Sequence, residues 1–167
     1  MELQKAKNKF IQTWGALGSQ WGINKTMAQI HALLMVSAEP LSMEDIMAEL
    51  SISRGNASMN LRALMDWGIV YKEYKSGERK EFFTSEKDLD ELAVKIAQER
   101  SKREIKPALK VLKDVSSIDA GNSPETQHFV GQTAKLYDFV LKADNMLDKV
   151  TEFKDNWLGR LVLKIMK

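Results

Sequence analysis

The sequence predicts a mostly α-helical protein carrying one small β-hairpin. Apolar residues recur at intervals of three and four along most of the chain, and the pattern changes to that of strands only between Ile69 and Thr84. At 167 residues the chain is long enough to bury a real core. It contains no cysteine, which excludes a disulfide framework, a thiolate zinc site and a cysteine nucleophile, and fits a reducing compartment. Its formal net charge of +2 is too small to attract nucleic acid by itself, so any basic patch must be local.

From the N-terminus, Leu3, Ala6, Phe10, Trp14, Leu17 and Trp21 form an aromatic helical stripe that needs a partner. After Gly22, Asn24 can cap a second helix with Met27, Ile30, Leu33 and Leu34 on one face, and Glu39-Pro40 closes it, because the residue before proline avoids helical angles. Ser42-Met43-Glu44-Asp45 is close to a capping box with Asp in place of Glu, ahead of a two-turn helix holding Ile46, Met47 and Leu50. Ser51-Ile52-Ser53 then leads into a helix with Ala57, Leu61, Leu64 and Met65 at i, i+4, i+7 and i+8, ended by Gly68. Ile69–Lys75 and Arg79–Thr84 read as two strands joined at Ser76-Gly77-Glu78, where glycine suits a positive backbone angle.

Three short helices followed by a hairpin, with a three-residue joint before the third helix, is the order of a winged helix-turn-helix domain. The segment WGINKTMAQIHALLMVSAEPLSMEDIMAELSISRGNASMNLRALMDWGIVYKEYKSGERKEFF resembles the GbsR branch of the MarR superfamily of transcription regulators. The EPLS joint, the SISRGNAS entry, the LRALMDWGIV exit and the GERK wing turn stand in that family's order, over less than half of the chain. The N-terminus and the lack of a long apolar run read as cytoplasmic. The resemblance implies a homodimeric regulator, expected to be a repressor, that binds a roughly palindromic operator in double-stranded DNA. Its helix 53–67 would enter the major groove and its wing 70–84 would lie near the minor groove. It also implies a small-molecule effector such as a quaternary ammonium osmoprotectant.

The residues give the same picture independently. If Ala57, Leu61, Leu64 and Met65 face the core, the opposite side carries Gly55, Asn56, Met59, Arg62, Ala63 and Asp66, with Arg54 near the helix start. A solvent-facing helix gains from charged i, i+4 pairs, whereas a helix in a groove needs a slim surface, amides that read adenine and arginines that read guanine or hold phosphate. Asn56 and Arg62 are the leading base-edge readers, and Met59 or Ala63 suits a thymine methyl. Ser53, Ser58 and Asn60 hold phosphates or act as caps and core-edge groups. Asp66 points away from the DNA backbone. In the wing, Lys75, Arg79 and Lys80 are assigned to DNA, while Glu73, Glu78 and Glu81 dilute the patch.

Further along, Leu89, Leu92, Ala93 and Ile96 share a face, and Ile105, Ala108, Leu109, Leu112 and Val115 share another. Pro107 argues against one straight helix through both. DAGNSP at 119–124 reads as a loop, with Ser123 as cap and Pro124 opening a helix that holds Phe129, Val130, Ala134, Tyr137, Val140 and Leu141. The terminal NWLGRLVLKIMK is expected to pair with the first helix across a two-fold axis rather than to lie on a membrane. The expected organisation is an N-terminal dimerisation helix 1–21, a DNA-binding domain 22–86, and a linker and dimerisation region 87–167.

Other chemistries find little footing. MELQKAKNKF is not a secretory signal, and no apolar run reaches the roughly 18 residues of a membrane span. His31 and His128 stand apart with no HExxH, phosphate loop or GxSxG, so no metal, cofactor or catalytic site is expected. Trp14 and Trp21 are the candidate ligand-binding pair, through cation–π attraction to a quaternary ammonium. The competing reading of the winged region is a protein-interaction module without sequence-specific DNA binding.

Overall fold

The structure, a computed structural model, describes residues 1–119 and 123–155. The terminal segment NWLGRLVLKIMK, expected above to pair across a dimer axis, lies outside the described residues. The chain divides into two compact units, residues 1–95 and the part from Ile96 onward.

The first unit contains α1 (Leu3–Gln20), α2 (Lys25–Val36), β1 (Leu41–Ser42), α3 (Met43–Leu50), α4 (Arg54–Asp66), β2 (Val70–Tyr74) and β3 (Glu81–Ser85), and then the beginning of α5 (Leu89–Arg100). Its helices start where their caps dictate. The Asn24 side chain accepts hydrogen bonds from the amides of Thr26 and Met27 at the head of α2. Ser42 and Asp45 complete a reciprocal capping box on α3, so aspartate reaches back far enough to serve in place of glutamate. Ser53 caps α4 through the Asn56 amide. Between α3 and α4, Ser51 takes the left-handed conformation, at φ 52°, that reverses the chain.

Each helix from α2 to α4, and both strands of the hairpin, supply a side chain to one centre. Ile30 and Leu34 from α2, Ile46 from α3, Leu61 and Leu64 from α4, Val70 from β2 and Phe83 from β3 are all fully buried. This core fixes α4 against the sheet. The sheet has three antiparallel strands in the order β1-β3-β2, with Leu41 opposite Phe83 and Val70 opposite Ser85. The sequence predicts only the β2–β3 hairpin. The third strand comes from the two residues Leu41-Ser42, too short to show a period, whose pairing with β3 is long-range. The wing turn is also wider than predicted: β3 begins at Glu81, and Lys75–Lys80 form a loop closed by the Glu78 amide on the Lys75 carbonyl, with Gly77 at φ 85°.

Behind β2, Tyr71, Glu86 and Lys95 form a clamp. Tyr71 Oη donates to Glu86 Oε2 at 2.8 Å, and Lys95 Nζ reaches Glu86 at 3.0 Å and Glu91 at 3.3 Å. Burial pushes the Glu86 carboxyl up, but hydrogen bonds from Tyr71, the Asp88 amide and Lys95 outweigh it and bring the pKa down to about 2.

α1 packs on α2, though not through the stripe that the sequence singles out. The contact face is Ile11, Gly15 and Gly18, all buried, one step round the helix from Phe10, Trp14 and Leu17. Glycine permits this: a Cβ on Gly18 would stand 2.6 Å from Ala28 Cβ. The aromatic residues run beside the seam, with Phe10 and Trp14 centroids 5.4 Å apart and Trp14 and Trp21 edge-on at 6.5 Å.

In the second unit, α6 (Lys106–Ser116) and α7 (Pro124–Asp155) form a helical hairpin. Between α5 and α6 lies a π-helical turn, Ser101–Ile105, in which the Lys106 amide bonds the Ser101 carbonyl. Pro107 sits in the first turn of α6, directly after this wider turn, and the backbone stays helical from α5 through the π turn into α6. Ser101 and Asp144 are both buried and hydrogen-bond each other, and buried Glu99 pairs with Arg103.

Candidate nucleic-acid interface

α4 is amphipathic in an uncommon way. Its inner face is Ala57, Asn60, Leu61 and Leu64; its outer face is Gly55, Met59, Arg62 and Asp66, at i, i+4, i+7 and i+11. Met59 is 62% exposed, a large apolar side chain placed outward. With glycine at one end of the stripe and alanine at position 63 beside it, the surface is slim enough for a helix to be approached closely.

The predicted DNA-binding residues divide into three groups. Met59, Arg62, Arg79 and Lys80 are exposed, the first two on α4 and the others in the wing turn. Ser53, Arg54, Asn56 and Lys75 lie at the same surface but are engaged: Ser53 in the cap, Arg54 with Glu44 at 2.5 Å, Asn56 as acceptor from Asn60, and the Lys75 ammonium over the Phe82 ring at 4.5 Å. Asn60 departs from the outward placement. It is only 3% exposed, because position 60 falls on the core face with 57, 61 and 64, and its Nδ2 donates to the Asn56 carbonyl at 2.9 Å and to Asn56 Oδ1 at 2.7 Å. Of its two sequence readings, the structural one holds: it orients Asn56.

Two charged residues here, Lys72 and Glu44, lie outside the set assigned to DNA from the sequence. Lys72 of β2 pairs with Glu81 at 2.7 Å, which holds the ammonium above its usual range, and Arg62 lies near enough to oppose that shift. Arg62 of α4 and Lys72 of the wing strand are therefore close enough to feel each other's charge. Glu44, in the first turn of α3, bonds Arg54. Its carboxyl is held low by its own backbone amide and by Arg54, with Lys80 adding a smaller effect. A capping-box pattern ten residues before an arginine was the available signal, but it does not show which acid faces the arginine.

The candidate ligand residues lie elsewhere. Trp14 is half-buried and Trp21 is exposed. A cleft of about 330 Å³ opens between α1, the end of α2 and α3, with Lys7, Ile11, Leu33, Glu39 and Glu49 among its lining, and neither tryptophan borders it. Among the described residues, no three His, Asp or Glu side chains are grouped to hold a metal ion, and no helix is long and apolar enough to cross a membrane.

A three-helix unit with its third helix outward and a cationic wing beside it defines the class: a winged helix-turn-helix, DNA-binding transcriptional regulator. Residues 21–80 match the model of the MarR family. Over 167 residues the chain is 19% identical to the putative HTH-type transcriptional regulator YvaV of Bacillus subtilis (strain 168), covering 96% of this chain and 87% of the relative. The crystal structure of a transcriptional regulator superposes with a TM-score of 0.58 at 16% identity, over 86% of this chain and 99% of that one, and shares the fold. A MarR transcriptional regulator from Methanosarcina mazei Go1 is also 16% identical, over 83% of this chain and 94% of that one, at a TM-score of 0.40, too low to bear on the argument.

Proposed function

We propose that the chain is a cytoplasmic repressor of the GbsR branch, acting as a homodimer on a roughly palindromic operator with helix 53–67 in the major groove and wing 70–84 near the minor groove. The observation that carries the reading is the outer stripe of α4, Gly55-Met59-Arg62, which is slim and exposed, together with the exposed Arg79 and Lys80 of the wing turn. Support for self-association comes from α7. Phe129, Leu136, Phe139 and Met146 follow heptad spacing on its surface and are between 46% and 70% exposed, away from the face that meets α6. The effector in this reading is a quaternary ammonium at Trp14 and Trp21, supported by their edge-on geometry.

The test is selection of bound sequences from a random duplex pool at near-physiological salt. An enriched inverted repeat, with half-sites about one helical turn apart, is the expected result. No enrichment by folded, dimeric protein overturns the reading in favour of a protein-interaction module.

A further inference from the structure

Arg54 opens the helix offered to DNA, yet its guanidinium is committed to a carboxylate of its own chain. Its Nη2 lies 2.5 Å from Glu44 Oε1, and the two side chains are 65% and 48% exposed. The fold does not demand this acid. The capping box of α3 is completed by Asp45, whose carboxylate bonds Ser42, and the core contribution of α3 is Ile46. An acid in a first helical turn suits the helix dipole, but Asp45 supplies that charge too.

The surroundings of Glu44 give it a second role. Arg54 of α4 bonds Glu44, and the wing cations are near enough to act on the same turn, Lys80 on both Glu44 and Asp45 and Lys75 on Asp45. A carboxylate in that position competes with DNA phosphate for the same guanidinium. A phosphate that reaches Arg54 must displace Glu44 and then remain beside a like charge. A guanine edge is a neutral double acceptor, and a bidentate bond from arginine to O6 and N7 replaces the ion pair without that repulsion.

We propose that Glu44 is a specificity-determining residue, an internal phosphate substitute that withholds Arg54 from DNA backbone and yields it to a base edge. The proposal rests on the DNA-binding reading above. Its consequence is a suppressed affinity for arbitrary sequence, since phosphate contacts supply essentially all non-specific binding.

The experiment compares the duplex enriched from the random pool with a scrambled duplex of the same composition, across a range of salt concentrations. Glu44→Gln is expected to tighten binding to the scrambled duplex by about 3- to 10-fold, with a salt slope steeper by about one. Operator binding rises less, so the ratio of the two affinities falls. Arg54→Ala in the Glu44→Gln background is expected to abolish the gain, and Glu44→Asp, which keeps the charge, to retain part of the discrimination. Circular dichroism of each variant establishes that the helices are kept. A purely structural role moves the thermal midpoint without changing the salt slope, and that result overturns the proposal, as does an equal response of both duplexes. Absence of any duplex binding by the unsubstituted chain overturns the DNA-binding reading and this one with it.

Discussion

Lys87 closes the C-terminal end of α2 by donating a hydrogen bond to the Leu34 carbonyl at 2.6 Å. Its other ammonium protons go to the carbonyls of Met35 at 3.0 Å and Ser37 at 2.9 Å. One side chain, two residues beyond β3, thus satisfies three acceptors that a helix end leaves open. A cation is also the charge favoured at that end of the helix dipole. Desolvation lowers the Lys87 pKa from its usual value. Lys87→Met keeps the aliphatic stem and removes all three donors. It is expected to lower stability by about 1–2 kcal/mol in urea unfolding. Lys87→Arg is expected to recover only part of this, because a planar fork cannot converge three protons as an ammonium does.

The same lysine bears on His31. That ring is 4% exposed on α2 and its Nε2 has no hydrogen-bond partner. Burial, and secondarily the charge on Lys87, lower its pKa from 6.5 to about 4. The folded protein therefore keeps a neutral imidazole where the unfolded chain takes up a proton. The stability is whole above the unfolded pKa of 6.5 and is lost as pH falls toward 4, by up to about 3 kcal/mol. His31→Gln is expected to flatten this window. Denaturant unfolding of both proteins between pH 7 and about 4 tests it, and parallel pH profiles would show that His31 is not the sensor.

Gly18 and Gly15 set the distance between α1 and α2. A methyl group on Gly18 meets Ala28 Cβ, which has no rotamer to yield. Overpacking of this kind costs about 1–3 kcal/mol, against the roughly 1 kcal/mol that alanine gains over glycine inside a helix. Gly18→Ala is thus expected to lower the thermal midpoint, and Ala28→Gly in the same chain to restore part of it. At Gly15 the added group meets the Gln29 side chain, which can turn away at the loss of its 2.9 Å bond to Gln12. Gly15→Ala is therefore expected to cost less.

These residues also mark what the sequence makes legible. Helix order, the three caps at Asn24, Ser42 and Ser53, and the wing follow from local signals, since cap chemistry and apolar period act within a few residues. The α1 seam does not, because glycine contributes nothing to a hydropathy stripe and the aromatic residues beside it dominate the pattern. β1 is two residues whose strand character comes wholly from pairing with β3. Asn60 is a polar residue in a core slot, where its amide finds Asn56 one helical turn back. Lys87 and its acceptors are about fifty residues apart, beyond the reach of any periodicity. At the nucleic-acid interface, which residues are outward was readable from the helical wheel, whereas the Arg54–Glu44 pair required the crossing of two helices.

Arg62 and Arg79 provide the separation between reading and holding. Arg62 projects from the middle of the outer stripe of α4, the part of a groove-bound helix nearest the base edges, whereas Arg79 stands in a turn whose reach is to backbone and minor groove. Arg62→Ala is expected to lose about 1–3 kcal/mol of specific binding and to relax preference at one position of each half-site. Arg79→Ala is expected to weaken all sequences alike and to reduce the salt slope by about one. Both are measured as affinities for the selected duplex and its single-base variants. Unchanged operator affinity in Arg62→Ala would mean that α4 meets DNA by another face, and Asn56, half-buried and held by its bond from Asn60, is then the next to substitute.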